Sequence, residues 1–112
     1  MKKVEAIIRE EKLKDVIKAL EDEGFFGMTV TAVMGRGKEG GMTIQFRGRL
    51  MKVELLTKVK IEVVVDDKDV DRVVKAIISA AKTGEVGDGK IFIIPIEEAI
   101  RIRTEEKGTN AL

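Results

Sequence analysis

Residues 4–20, VEAIIREEKLKDVIKAL, decide the fold. Val4 to Ile8 is an apolar run of strand length. Beyond Arg9-Glu10-Glu11, the apolar residues Leu13, Val16, Ile17 and Leu20 recur at i, i+3, i+4 and i+7. That spacing makes one face of an amphipathic helix, with Lys14, Asp15, Lys18, Glu21 and Asp22 on the other. Gly24 is placed to end this helix just past its cap, where a left-handed residue is favoured. Gly27 to Val33 (GMTVTAV) then alternates as a second strand, completing a β-α-β unit. The unit recurs downstream. Val59 to Val65 reads as a strand, Val70, Val73, Val74 and Ile77 repeat the helical spacing, and Ile91 to Ile94 closes as a strand before Pro95. An offset of 57 residues carries Glu5 onto Glu62, Val16 onto Val73, Lys18 onto Lys75 and Ala19 onto Ala76. A duplicated β-α-β predicts an α+β, ferredoxin-like double βαβ sandwich with an antiparallel sheet and both helices on one face. Apolar residues occur at both parities along these strands, so the other face needs a cover. Self-association is the simplest one, and an oligomer is expected.

A chain of 112 residues suits a single domain, 1–112. With 21 Lys+Arg against 20 Asp+Glu, global charge gives no reason to expect nucleic acid or an anionic membrane as partner. Charged residues at 37% with four aromatics, all Phe, point to a heavily ion-paired surface. The absence of Cys and His excludes disulfides, thiol chemistry, imidazole bases and ordinary zinc sites. Met1-Lys2-Lys3-Val4-Glu5 runs into a strand in place of a signal-peptide core, and no apolar run is long enough to span a membrane. The expectation is a cytoplasmic protein.

The glycines locate the chemistry. Thr83 to Phe92 (TGEVGDGKIF) sets three of the eleven before a lone Lys90 and an apolar strand. Glycine allows successive amides to turn toward one centre, and a lysine at the rim adds a full charge, so the stretch reads as a cradle for a polyphosphate. The competing reading is a plain helix-to-strand turn. It is not a Walker A loop, because Ile91 stands where a Ser or Thr is required. Residues 35–56, GRGKEGGMTIQFRGRLMKVELL, show no helical period and read as a long loop or ribbon, which in a compact domain argues for function. Ile100 to Thr104 (IRIRT) alternates apolar with basic, so Arg101 and Arg103 are expected on one side of a short extended segment. The pair serves either as solvated edge-strand charges or as two cations for phosphates. Residues 105–112 read as a frayed tail.

The blocks MKKVEAIIR, GMTVTAV, GRGKEGG, RGR, TKVKIEVVV, TGEVGDGKIF and IRIRT, in this order and spacing, closely resemble the PII signal-transduction proteins, the GlnB/GlnK group. The long loop is most like that of an archaeal GlnK. The resemblance implies a homotrimer that binds ATP or ADP in each cleft between subunits. It assigns a T-loop at about 37–55, a B-loop at about 82–90 and a C-terminal loop at about 101–112. It implies that Gly87, Gly89 and Lys90 hold the phosphates, joined by Arg101 and Arg103 of the neighbouring subunit. Thr83, Asp88 and Phe92 belong to the same nucleotide-binding block. Ile7, Thr29, Glu62 and Val64 would surround adenine and ribose, with Gly35, Arg36, Gly37 and Lys38 at the T-loop base. Lys90 and two arginines offset much of a triphosphate's charge, and arginine offers phosphate a planar fork.

The implied function is binding without catalysis. Nucleotide and usually 2-oxoglutarate rearrange the T-loop, which docks on a target, for GlnK proteins an Amt-type ammonium channel. Arg47 matches the arginine inserted into the channel mouth. Glu39, Gly40, Gly41 and Lys58 match the Mg²⁺–2-oxoglutarate site, with two qualifications. Glu39 replaces a glutamine, and although a carboxylate can ligate Mg²⁺, it sets a negative charge beside a dianion at a cost of about 1–4 kcal/mol. Weakened 2-oxoglutarate binding is therefore expected. The tyrosine modified in bacterial relatives falls at Met51 and the serine phosphorylated in cyanobacterial ones at Arg49, so both switches are missing. A target such as glutamine synthetase or nitrogenase stands as the alternative to the channel. An RNA-binding module lacks the stacking aromatics, and an ATP-consuming enzyme lacks a nucleophile–base pair.

Overall fold

The computed structural model describes residues 1–37, 42–53 and 55–112. Six strands and two helices run β1 (Lys2–Arg9), α1 (Leu13–Asp22), β2 (Thr29–Gly35), β3 (Met42–Phe46), β4 (Arg49–Val53), β5 (Leu56–Val65), α2 (Val70–Ala81) and β6 (Lys90–Pro95). Short 3₁₀ turns at Glu10–Lys12 and Asp67–Asp69 lead into the helices. The main sheet has the order β2-β5-β1-β6 and is antiparallel throughout. This is the expected α+β, ferredoxin-like arrangement.

Alternation along the strands sorts the two faces of the sheet. Val4, Ala6 and Ile8 of β1 lie opposite Val63, Ile61 and Val59 of β5, and all six are buried. Val16 and Leu20 of α1 and Val73, Ala76, Ile77 and Ala81 of α2 close over them. The opposite parity is uncovered, and its centre is charged. Glu5 and Glu62 face each other directly across β1 and β5. Like charges so placed repel, and flanking cations relieve them: Lys3 lies 3.1 Å and Lys60 3.7 Å from the Glu62 carboxylate. The hydrogen bond from Lys3 holds the Glu62 carboxyl below the usual carboxylate range, and the same bond raises Lys3. Ile7, Val64, Phe92 and Ile94 share this face.

The end of α1 shows why the sequence stops there. Gly24, at φ +89°, donates to the Glu21 carbonyl at 2.9 Å, and Phe25 N–H donates to the Leu20 carbonyl at 2.9 Å. This pair of bonds is the Schellman closure, with Gly24 in the left-handed position. From α2, the Arg72 guanidinium lies 4.8 Å from the centre of the Phe25 ring and donates to the Glu23 carbonyl at 2.7 Å, tying the two helices at that corner.

Of the two readings of 35–56, loop or ribbon, the ribbon holds, while the readings of the IRIRT segment and of the tail change. Within 35–56, a ribbon forms: β3 and β4 pair from Met42↔Val53 to Phe46↔Arg49. Arg47 (φ +50°) and Gly48 (φ +74°) make a two-residue turn with both residues left-handed, the twist that matches antiparallel strands. The IRIRT segment is not a strand. Ile100 bridges Lys107, residues 102–104 turn, and Glu105 takes φ +62°, so its N–H donates to the Arg101 carbonyl at 2.7 Å. Nor is the tail frayed. Glu98 accepts from Gly108 N–H at 2.9 Å, and a 3₁₀ turn spans Gly108–Ala111. The turn at Glu105 overrides the alternation that suggested a strand.

Leu20 is fully buried, so Leu20→Ala should cost about 2–5 kcal/mol through lost packing. Gly24→Ala should cost about 1–2 kcal/mol through forced left-handed backbone. Urea denaturation of both variants checks the order, and a larger cost for Gly24→Ala would contradict it.

Candidate functional site

The loop between α2 and β6 is built by its glycines and one carboxylate. Gly84, Gly87 and Gly89 all lie at positive φ, +88°, +105° and +97°. Gly89 is also crowded: a Cβ there would stand 1.7 Å from the Ile7 carbonyl oxygen. No side chain fits, so the loop lies directly on β1 where Lys90 pairs with Ile7. Asp88 turns its carboxylate back into the loop. It accepts from Thr83 N–H at 2.9 Å, from Thr83 Oγ1 at 2.5 Å, from Gly84 N–H at 2.9 Å and from Arg9 Nε at 3.1 Å. These donors, the Thr83 hydroxyl foremost, hold the Asp88 carboxyl well below the usual carboxylate range. A depressed carboxylate contributes stability above its ordinary pKa and loses it only as pH falls below that value, so the loop keeps its shape across neutral pH.

Two cations from the open face complete the scaffold. Arg9 Nη2 donates to the Val86 carbonyl at 2.8 Å, and Lys58 Nζ donates to the Gly87 carbonyl at 2.6 Å. Arg9 was not among the expected site residues. Its signal was available in the strand parity, which puts it on the face of Ile7 one step nearer the loop.

Ile7, Gly35, Arg36, Gly37, Gly87, Asp88, Gly89, Lys90 and Phe92 line one cavity of about 560 Å³, with Lys58 and Glu85. The volume suits a small-molecule ligand. Lys90, Arg36 and Lys58 supply positive charge, while Asp88 is directed into the loop. Thr83 shapes the loop through its bonds to Asp88 and to Glu85 N–H at 3.1 Å.

Other expected residues stand apart within one chain. Thr29 and Glu62 pair with each other and Val64 pairs with Lys3, further along the open face from the loop. Strand β6 runs from Lys90 to Pro95, about 17 Å at 3.3 Å per residue, and Arg101 and Arg103 follow beyond its far end. Arg101 donates there to Glu106 at 3.2 Å and to the Leu112 main-chain oxygen at 3.1 Å. Arg47 occupies the exposed tip of the β3–β4 hairpin. Lys38, Glu39, Gly40 and Gly41 lie outside the described residues, so the expected Mg²⁺–2-oxoglutarate set is represented by Lys58 alone. Among the described residues no group of three acidic side chains could hold a metal ion, and no helix is long and apolar enough to cross a membrane.

Comparison with known proteins accounts for this combination of sandwich, glycine loop and hairpin. The family model described as nitrogen regulatory protein P-II matches residues 1–106. The chain is 58% identical over 112 residues to a nitrogen regulatory protein P-II of Nostoc punctiforme, covering all of both chains. It is 55% identical to one of Synechocystis over the same full lengths. It is 54% identical to nitrogen regulatory protein P-II 2 of the archaeon Methanothermobacter thermautotrophicus, covering all of this chain and 97% of the relative. A family match across nearly the whole chain, with relatives above half identity end to end, leaves one assignment: the chain belongs to the P-II family of nitrogen regulatory signal-transduction proteins.

Proposed function

We propose that this protein is a nucleotide-responsive transducer: it binds ATP or ADP between the subunits of a homotrimer and regulates ammonium uptake through its T-loop hairpin. The observation that carries the reading is the division of cations. The glycine loop and Lys90, the first residue of β6, line the cavity, whereas Arg101 and Arg103 follow the strand's other end in the chain and are not among the residues that line it. A second copy that brings its arginines to this cavity completes a phosphate site that one chain leaves half built.

The residues present fit a polyphosphate. Glycines at positive φ let backbone N–H groups approach an anion without a Cβ between them, and Lys90 adds charge at the rim. The neighbour's Arg101 would exchange Glu106, an exposed partner worth little, for a phosphate it can grip bidentately. Thr29, Glu62 and Val64 would meet adenine and ribose from across the subunit boundary. Among the described residues no nucleophile–base pair lines the cavity, which supports reading bound nucleotide as a signal. The β3–β4 hairpin presents Arg47 at its tip, the geometry a finger needs to enter the mouth of an Amt-type channel. At the membrane the protein acts from the cytoplasm through that channel. The carboxylate of Glu39, in place of the glutamine expected from the family resemblance, weakens the 2-oxoglutarate response by like-charge repulsion, and Lys58 is already engaged by Gly87.

Calorimetry should find ATP or ADP bound at about one per subunit. Lys90→Ala should weaken binding about 10- to 100-fold, the loss of a charge-assisted contact. Absence of nucleotide binding by the wild-type chain would overturn the reading. With MgATP saturating, Glu39→Gln should strengthen 2-oxoglutarate binding at least about tenfold; micromolar binding by the unmodified chain would contradict the role given to Glu39. Arg47→Ala should abolish co-purification with an Amt-type channel while nucleotide affinity is unchanged. Retention of the channel would remove the hairpin tip from the interface.

A further inference from the structure

Arg9 and Lys58 stand directly opposite each other on β1 and β5. Two like charges in that relation are unfavourable unless something offsets them. Lys58 is moreover the one buried polar or charged side chain among the described residues, 9% exposed. A buried ammonium is costly unless it is hydrogen-bonded. Both requirements are met from one source, the loop Val86–Asp88. Lys58 takes the Gly87 carbonyl, while Arg9 takes the Val86 carbonyl and the Asp88 carboxylate.

We propose that Arg9 and Lys58 are positioning residues for the phosphate loop, holding the consecutive Val86 and Gly87 carbonyls and thereby fixing the amides that a phosphate must meet. The proposal rests on the nucleotide reading above. Its physical basis is the geometry of the peptide unit. In a trans peptide the C=O and N–H groups point in opposite directions. Fixing the Val86 and Gly87 carbonyls therefore fixes the N–H groups of Gly87 and Asp88. The loop backbone needs such help, because Gly87 has many accessible conformations and chooses among them weakly. Arg9 also fills the space above Gly87, where a Cβ would lie 3.1 Å from its Nη2. The loop and the two cations thus constrain each other: the carbonyls relieve the charge repulsion, and the charges select one loop conformation.

The test uses Lys58→Met and Arg9→Met in the full chain, with two readouts. Hydrogen exchange in nucleotide-free protein reports on the loop itself. Amides of Thr83, Gly84 and Glu85, which are hydrogen-bonded within the loop, should exchange about tenfold faster in either variant, the effect of losing a charged hydrogen bond, while β1 and β5 amides keep their rates. Calorimetry should show ADP weakened about tenfold in parallel, with adenosine, which carries no phosphate, unchanged. Arg9→Lys, which keeps a donor, should recover part of the loss. Loop amides that exchange at the wild-type rate would overturn the proposal, as would equal weakening of adenosine and ADP. If the wild-type chain bound no nucleotide, the functional reading would fall on its own, and the exchange rates would still decide whether the two cations hold the loop.

Discussion

Everything in this protein is referred to strand β1. It lies between β5 and β6, so its register is fixed from both sides. Its inward row, Val4, Ala6 and Ile8, is buried under both helices and anchors the core. A shift of one residue would turn that row to the open face and expose the whole core. The outward row, Lys3, Glu5, Ile7 and Arg9, is therefore held as firmly as the core, and it lays out the functional surface. Lys3 neutralises the Glu5–Glu62 repulsion, Ile7 offers the carbonyl on which Gly89 lies, and Arg9 reaches the loop. Packing on one face thus gives precision on the other.

The same logic explains why the loop before β6 tolerates three glycines without losing definition. Glycine removes steric preference, and conformational entropy must then be offset by specific bonds. Asp88 satisfies the amides of the first half of the loop, and Arg9 with Lys58 satisfies the carbonyls of the second. A carboxylate that looked like part of a binding motif is consumed in shaping the motif. This frees the backbone and Lys90 to meet a ligand.

Periodicity exposed the sandwich, because each half repeats a strand and a helix with matching apolar spacing at an offset of 57 residues. The loop before β6 was legible as a glycine cluster, since those glycines answer a backbone demand for positive φ. Long-range side-chain relations were not legible. Nothing local to Asp88 says that it faces Thr83, and nothing local to Arg9 says that it reaches across 77 residues to Val86. The IRIRT alternation misled for a related reason: two residues per turn of pattern is a weak signal over five residues, and a left-handed Glu105 with a Glu98 cap reverses the chain. Likewise Arg47-Gly48 is not among the commonest hairpin dipeptides, so the β3–β4 ribbon could be read only as loop or ribbon.

In the proposed function each nucleotide site is assembled from two copies, the glycine loop and Lys90 from one and Arg101 with Arg103 from the next. Complementation tests it most directly. Lys90→Ala and the double variant Arg101→Ala/Arg103→Ala should each bind nucleotide poorly as pure proteins. Denatured together in equal amounts and refolded, they should regain wild-type affinity at roughly one site in four, because only junctions joining an intact loop to intact arginines are whole. Recovery of that fraction is the predicted result. Recovery of none, with mixed oligomers demonstrably formed, would contradict the account and return the whole site to a single chain.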